Sequence, residues 1–148
     1  MQALACPTDV IVGDVAFQRY GQPTTQWHPD VAIVLARGEG ANAERAVLHI
    51  TAKQYKPPFS VSMFKGIGDT AVDSVAFEDL VGSDGSVHFL VRWDSKGEVV
   101  ASVGSEQHSV NLGGWPDTLQ INGSTGAGTV VYRLGHYAQS DRTCPPIA

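Results

Sequence analysis

From His88 to Gly104 the chain reads HFLVRWDSKGEVVASVG, and its apolar residues fall on every second position. Val87, Phe89, Val91 and Trp93 share one face of an extended strand, and Val99, Ala101 and Val103 answer them from a second. A period of two belongs to β structure, because a helix would need apolar residues at i, i+3, i+4 and i+7. Asp94-Ser95-Lys96-Gly97 separates the two runs. An aspartate that accepts a backbone hydrogen bond and a glycine that enters the left-handed region make this a hairpin turn. The polar tip therefore has a geometric job rather than a chemical one, and Trp93 belongs to the core.

The same period governs the rest of the chain. Sixteen glycines and eight prolines interrupt nearly every window long enough for a helix. The alternation predicts a strand from Val10 to Phe17 with an irregularity at Gly13-Asp14, and a nearly continuous apolar run at Asp30 to Arg37 suits a central strand. Arg45 to Lys53 alternates Val47, His49 and Thr51 against Leu48, Ile50 and Ala52, and stops before Pro57-Pro58, since proline cannot donate to a ladder. Further strands are predicted at Phe59 to Phe64, Ala71 to Phe77, Ser109 to Leu112, Thr118 to Asn122 and Thr129 to Tyr137. About ten short strands with turn chemistry between them and little helix argue an all-β fold, an antiparallel two-sheet sandwich of jelly-roll type, ahead of an up-and-down barrel.

A chain of 148 residues, 43% of them hydrophobic, fills one core and is too short for two ordinary domains. The formal net charge of -5 and the scattered Lys and Arg give no basic stripe, which argues against a nucleic-acid partner. No apolar run approaches the ~20 residues of a membrane helix, so no transmembrane segment is expected.

Cys6 and Cys144 sit almost at the ends, each followed by proline, and are expected to form a disulfide that staples the first segment to the last. Ala3-Leu4-Ala5 has the small-residue pattern of a signal-peptide cleavage site. Residues 1–5 then form a signal-peptide remnant or an added start, 6–144 a single β-sandwich domain and 145–148 a C-terminal tail. Secretion or a periplasmic location follows from both clues. A lipid-modified Cys6 is the competing reading.

The segment from His88 to Leu134 resembles the concanavalin A-like lectin and glucanase sandwiches. The resemblance lies in Val91-Arg92-Trp93-Asp94, in Gly97 to Gly104, and in Pro116-Asp117-Thr118-Leu119-Gln120-Ile121-Asn122-Gly123, which match a strand, polar turn and strand followed by a loop and an "L-x-I-G" strand. Within that group Trp93, Val103-Gly104 and Ile121 to Gly126 look like the insect farnesoic acid O-methyltransferase-like domain. The resemblance implies a lectin-like sandwich. A methyltransferase activity is not implied, because no glycine-rich strand-to-helix nucleotide site is present.

Catalytic signals are few. The E-x-D-x-x-E run of the related glucanases is absent, and Glu78-Asp79, being adjacent, would point to opposite faces of a strand. The histidines at 28, 49, 88, 108 and 136 form no ligand-spaced pair, so they read as surface or strand-packing imidazoles. No cofactor is expected; if a metal binds, Ca2+ suits loops such as Ser83-Asp84-Gly85 and Asp117. Binding is therefore the expected function, without catalysis. Trp27 and Trp115 stand in loops or at strand ends, where a ring either stacks on a sugar or anchors its loop. Tyr20, Tyr55, Asp117 and Asn122 are the polar groups that would meet sugar hydroxyls. Asn122-Gly123-Ser124 also fits a glycosylation sequon. Carbohydrate is the expected partner, and the alternative is an envelope or extracellular protein bound by an inhibitor, adhesion or assembly module.

Overall fold

A computed structural model describes residues 2–3, 8–16, 30–51, 60–68, 70–77, 86–123 and 129–135. The described residues form β1 (Gln2–Ala3), β2 (Val10–Ala16), β3 (Asp30–Arg37), β4 (Glu44–Thr51), β5 (Ser60–Ile67), β6 (Thr70–Ala76), β7 (Ser86–Trp93), β8 (Glu98–Val103), β9 (Glu106–Asn111), β10 (Thr118–Gly123) and β11 (Thr129–Gly135), with one 3-10 turn at Gly40–Asn42. They pair into a six-stranded sheet, β1-β10-β3-β4-β5-β6, and a five-stranded sheet, β11-β2-β7-β8-β9. Every pairing is antiparallel. The fold is an all-β, two-sheet antiparallel sandwich, and two separate sheets replace the single closed barrel that was the other expectation.

The core lies between the inner faces. Val31, Ile33 and Leu35 of β3, Ala46, Leu48 and Ile50 of β4, and Val61 and Met63 of β5 meet Val87, Phe89, Val91 and Trp93 of β7 and Val99, Ala101 and Val103 of β8 in one buried cluster. Each fully buried aliphatic side chain contributes about 1.5–3 kcal/mol. The hairpin has the expected register, Trp93 opposite Val99, Val91 opposite Ala101 and Phe89 opposite Val103. At its turn Asp94 Oδ1 accepts from the Lys96 and Glu98 amides, both at 3.0 Å, and Gly97 sits at φ +89°.

Two details differ from expectation. β2 pairs without interruption through Gly13-Asp14, so the irregularity read there is absent. Its inward residues are Ile11, Gly13 and Val15. Gly13 needs no side chain, because a Cβ there would stand 2.9 Å from the Phe89 ring and 2.6 Å from the Val131 carbonyl. The strand not foreseen is β1, whose Gln2 and Ala3 pair with Leu119 and Thr118 of β10. Cys6 and Cys144, and with them the disulfide, lie outside the described residues. Among the described residues no helix is long and apolar enough to cross a membrane.

Candidate functional site: a trough on the outer face of the six-stranded sheet

Because successive side chains on a strand point to opposite faces, the residues that bury Ile33, Leu48 and Leu119 inward fix which residues face out. On β3 these are Ala32, Val34 and Ala36, all small. On β10 they are Thr118, Gln120 and Asn122, opposite Ala36, Val34 and Ala32 respectively. On β4 they are Arg45, Val47 and His49, opposite the same three residues from the other side. Small side chains on a central strand, with larger ones on both neighbours, make a shallow trough with β3 as its floor. Two strand spacings set its walls about 10 Å apart, and the four residue steps from Arg45 to His49 extend it by about 13 Å.

The walls differ in chemistry. Thr118, Gln120 and Asn122 form a rail of hydrogen-bonding side chains on β10. Across from them, His49 is held in one orientation: its Nε2 lies 3.0 Å from Asp30 Oδ2 and its Nδ1 3.5 Å from Thr51 Oγ1. A carboxylate accepts only, so Nε2 carries the proton and donates to Asp30. Asp30 and Thr51 are a ladder pair on β3 and β4, and the His49 ring reaches Asp30 on the diagonal. Ser62 continues the His49 row on β5, and Ser60 continues the Thr51 row. Between the polar ends runs an apolar band, Val34, Val47 and Phe64, which occupy one ladder row. Val34 and Val47 are buried although they face away from the core, because they cover each other.

At its other end the trough deepens into a pocket of about 350 Å³ lined by Ala36, Arg45, Asp117, Thr118, Gln120 and the turn that joins β3 to β4. The loop from Leu112 to Asp117 shapes this end and is strapped to both sheets. Leu112 N donates to Gly97 O at 2.8 Å, Asp117 N to Ala36 O at 2.7 Å, and Gly38 N to Asp117 Oδ2 at 2.8 Å. Arg37 lies against Gly113 and Gly114 and donates to the Leu112 carbonyl at 3.1 Å.

A second, larger cavity of about 570 Å³ opens between the edges of the two sheets, where Asp73, Ser74, Arg92, Glu98, Gln107 and His108 contribute its polar lining. His108 is already engaged there, by Glu106 on its own strand and by the edge of Phe77. Among the described residues no group of three or more His, Cys, Asp or Glu could hold a metal ion.

The residues expected to bind a ligand are distributed unevenly. Asn122 stands in the trough and Asp117 at its deep end. Trp115 is partly buried against the core, its ring 6.5 Å from Trp93 at an interplanar angle of 67°, an edge-on pair that anchors the loop. Trp27, Tyr20 and Tyr55 lie outside the described residues. His49, Asp30, Phe64 and Arg45 were not singled out from the sequence. The available signal was the alternation of RAVLHITAK, which put Val47, His49 and Thr51 on one face but could not say which face was outward or what stood beside it.

No protein-family model matches the chain, and no curated protein matches it in sequence. Among solved structures the chain is similar to CG-16, a homodimeric agglutinin from chicken liver, at 10% sequence identity and a TM-score of 0.48, over 90% of this chain and 93% of that one.

Proposed function

We propose that the protein is a secreted or periplasmic, non-catalytic domain that binds carbohydrate in the trough over β3. The observation that carries this reading is the orientation of His49 by Asp30 and Thr51, across from Asn122, with the apolar band of Val34, Val47 and Phe64 alongside. A saccharide presents hydroxyls at its edges and C–H groups on its faces, so it needs fixed donors and acceptors next to an apolar surface. Preorganised polar groups serve it better than mobile ones, because little entropy is lost when they engage. The resemblance of the β7–β8 hairpin and β10 to lectin-like sandwiches points the same way. Relative to the sequence-based expectation, the contact surface moves from loop tryptophans to a sheet face. The secreted or periplasmic location rests on the disulfide expected between Cys6 and Cys144 and on the cleavage-site pattern of Ala3-Leu4-Ala5.

Titration against cell-wall and capsular polysaccharides, followed by a glycan array, tests the reading. Saturable binding that is lost in His49→Ala and weakened in Asn122→Ala is the expected result. No binding at millimolar saccharide, or binding unchanged in the double variant, overturns it. Capture of a stoichiometric envelope protein that sugars do not displace would assign the domain to protein recognition instead.

A further inference from the structure

The deep end of the trough differs from the rest of it in three ways. It is closed, because the turn residues Gly38, Glu39, Gly40 and Ala43 rise beyond the strand ends and form part of its lining. Gly38 and Gly40 allow this through φ values of +86° and +72°. It is also small, since about 350 Å³ lies at the low end of the range for ligand pockets. Finally, it sets opposite charges on opposite walls. Arg45 on β4 and Asp117 beside β10 both line it and form no ion pair with each other, because β3 holds their strands two spacings apart.

Arg45 is a charged group in this pocket that the fold does not use. Arg37 and Lys65 both reach Glu44, whereas Arg45, half-buried as a residue, has no hydrogen-bond or ion-pair partner among the described residues. It is flanked by Ala36 and Gly66 in its ladder row, so neither neighbour covers it. Asp117 gives one oxygen to the Gly38 amide and keeps the other without a protein partner among the described residues. A donor wall faces an acceptor wall with no direct contact between Arg45 and Asp117. A group with both donors and acceptors on its perimeter bridges two such walls, and a ring carrying several hydroxyls is one.

We propose that this pocket is a separate subsite for the terminal pyranose unit of a neutral glycan, with ring hydroxyls accepting from Arg45 and donating to Asp117. The proposal rests on the reading of the trough as a carbohydrate groove. The closed end makes the bound unit a chain terminus. The two carboxylates of Glu39 and Asp117 against the single guanidinium of Arg45 make it a neutral sugar, since an acidic unit would meet net negative charge. The rest of the chain runs along the Gln120 and Asn122 rail to the His49 row.

Calorimetric titration with neutral gluco-, manno- and galacto-oligosaccharides of increasing length tests this. Affinity for the preferred series rises with length and then stops once the chain spans from the His49 row to the pocket. In Arg45→Ala the last increment, about tenfold for a hydrogen bond to a charged donor, disappears while shorter oligomers bind as before. A uronic acid in the terminal position weakens binding. Equal weakening at every length, or none at any length, overturns the subsite, as does tighter binding of the uronic-acid chain. Arg45→Gln, which keeps the side-chain length, serves if Arg45→Ala does not fold. His49→Ala separates the two claims: it abolishes binding at every length if the trough is the groove. If no neutral oligosaccharide binds at all, the groove reading falls and the subsite falls with it.

Discussion

Replacing Gly97 by alanine tests how the deep end of the trough is held. Two costs arise there, and they are separable. Gly97 sits at φ +89°, where an L side chain is strained by about 1–2 kcal/mol. An added Cβ would also lie 2.3 Å from Gly114 N and 2.7 Å from Gly113 N and Gly114 O. Those are backbone atoms of a strapped loop and cannot swing aside as a side-chain end would. Leu112 N donates to Gly97 O, Gly113 N donates to Asn111 Oδ1 at 2.7 Å, and Arg37 clamps the Leu112 carbonyl. Overpacking of this kind costs about 1–3 kcal/mol. Together the two give about 2–5 kcal/mol, or a fall in Tm of roughly 5–20 °C at this chain length. Urea titration monitored by tryptophan fluorescence reads the change, since Trp115 lies in the loop and packs on Trp93. Gly97→Asn tolerates the left-handed backbone more easily but carries the same Cβ, so it should recover little of the loss. Stability in Gly97→Ala within about 1 kcal/mol of the parent protein would refute the crowding of the loop against the turn. Full recovery in Gly97→Asn would show that only the backbone angle mattered.

Other outcomes follow from the same contacts. Trp115→Ala should cost about 1–3 kcal/mol, as the loss of a partly buried aromatic pair, yet leave saccharide affinity per folded molecule unchanged; a selective loss of affinity in calorimetry would return Trp115 to the ligand. Arg37→Ala removes a donor to the Leu112 carbonyl and an ion pair that is half exposed, and should cost about 1–2 kcal/mol in urea, mostly from the carbonyl contact. Asp94→Ala leaves the Lys96 and Glu98 amides without their acceptor and should lower stability by about 1–2 kcal/mol by the same measurement. Intact mass with and without reductant and alkylation will show whether Cys6 and Cys144 are joined; free thiols would remove that support for a secreted or periplasmic location.

The hairpin was legible because everything that fixes it is local. Val87 to Val103 contain their own partners, their own turn and their own alternation, so the register of Trp93 opposite Val99 needs no information from elsewhere. The other long strands were legible for the same reason, with ends shifted by a few residues: β9 begins at Glu106, where Ser109 was expected. The two-residue strand β1 was not, since a pairing that short leaves no period to detect. The continuity of β2 was not either, because what makes Gly13 fit is the ring of Phe89, a residue distant in sequence.

The trough was invisible for a related reason. Asp30 and His49 are 19 residues apart, and nothing about either marks the other as its partner until the β3–β4 register sets them diagonally side by side. Asn122 and His49 face each other only because β10, the last strand of its sheet in sequence, inserts next to β3. Trp115 shows the converse. Its glycine- and proline-rich surroundings place it in a loop, and only the docking of that loop on Trp93 decides that its ring anchors the loop against the core.

The sequence by itself therefore determined the β class, most of the strands, the inward face of the hairpin and the principal turn, since alternation and turn chemistry act between near neighbours. Tertiary structure decided which strands lie side by side, and with them the trough, Arg45 in its closed end and the packing of Trp115 against Trp93. Those are properties of strand order, and strand order is set by how two whole sheets bury their inner faces together.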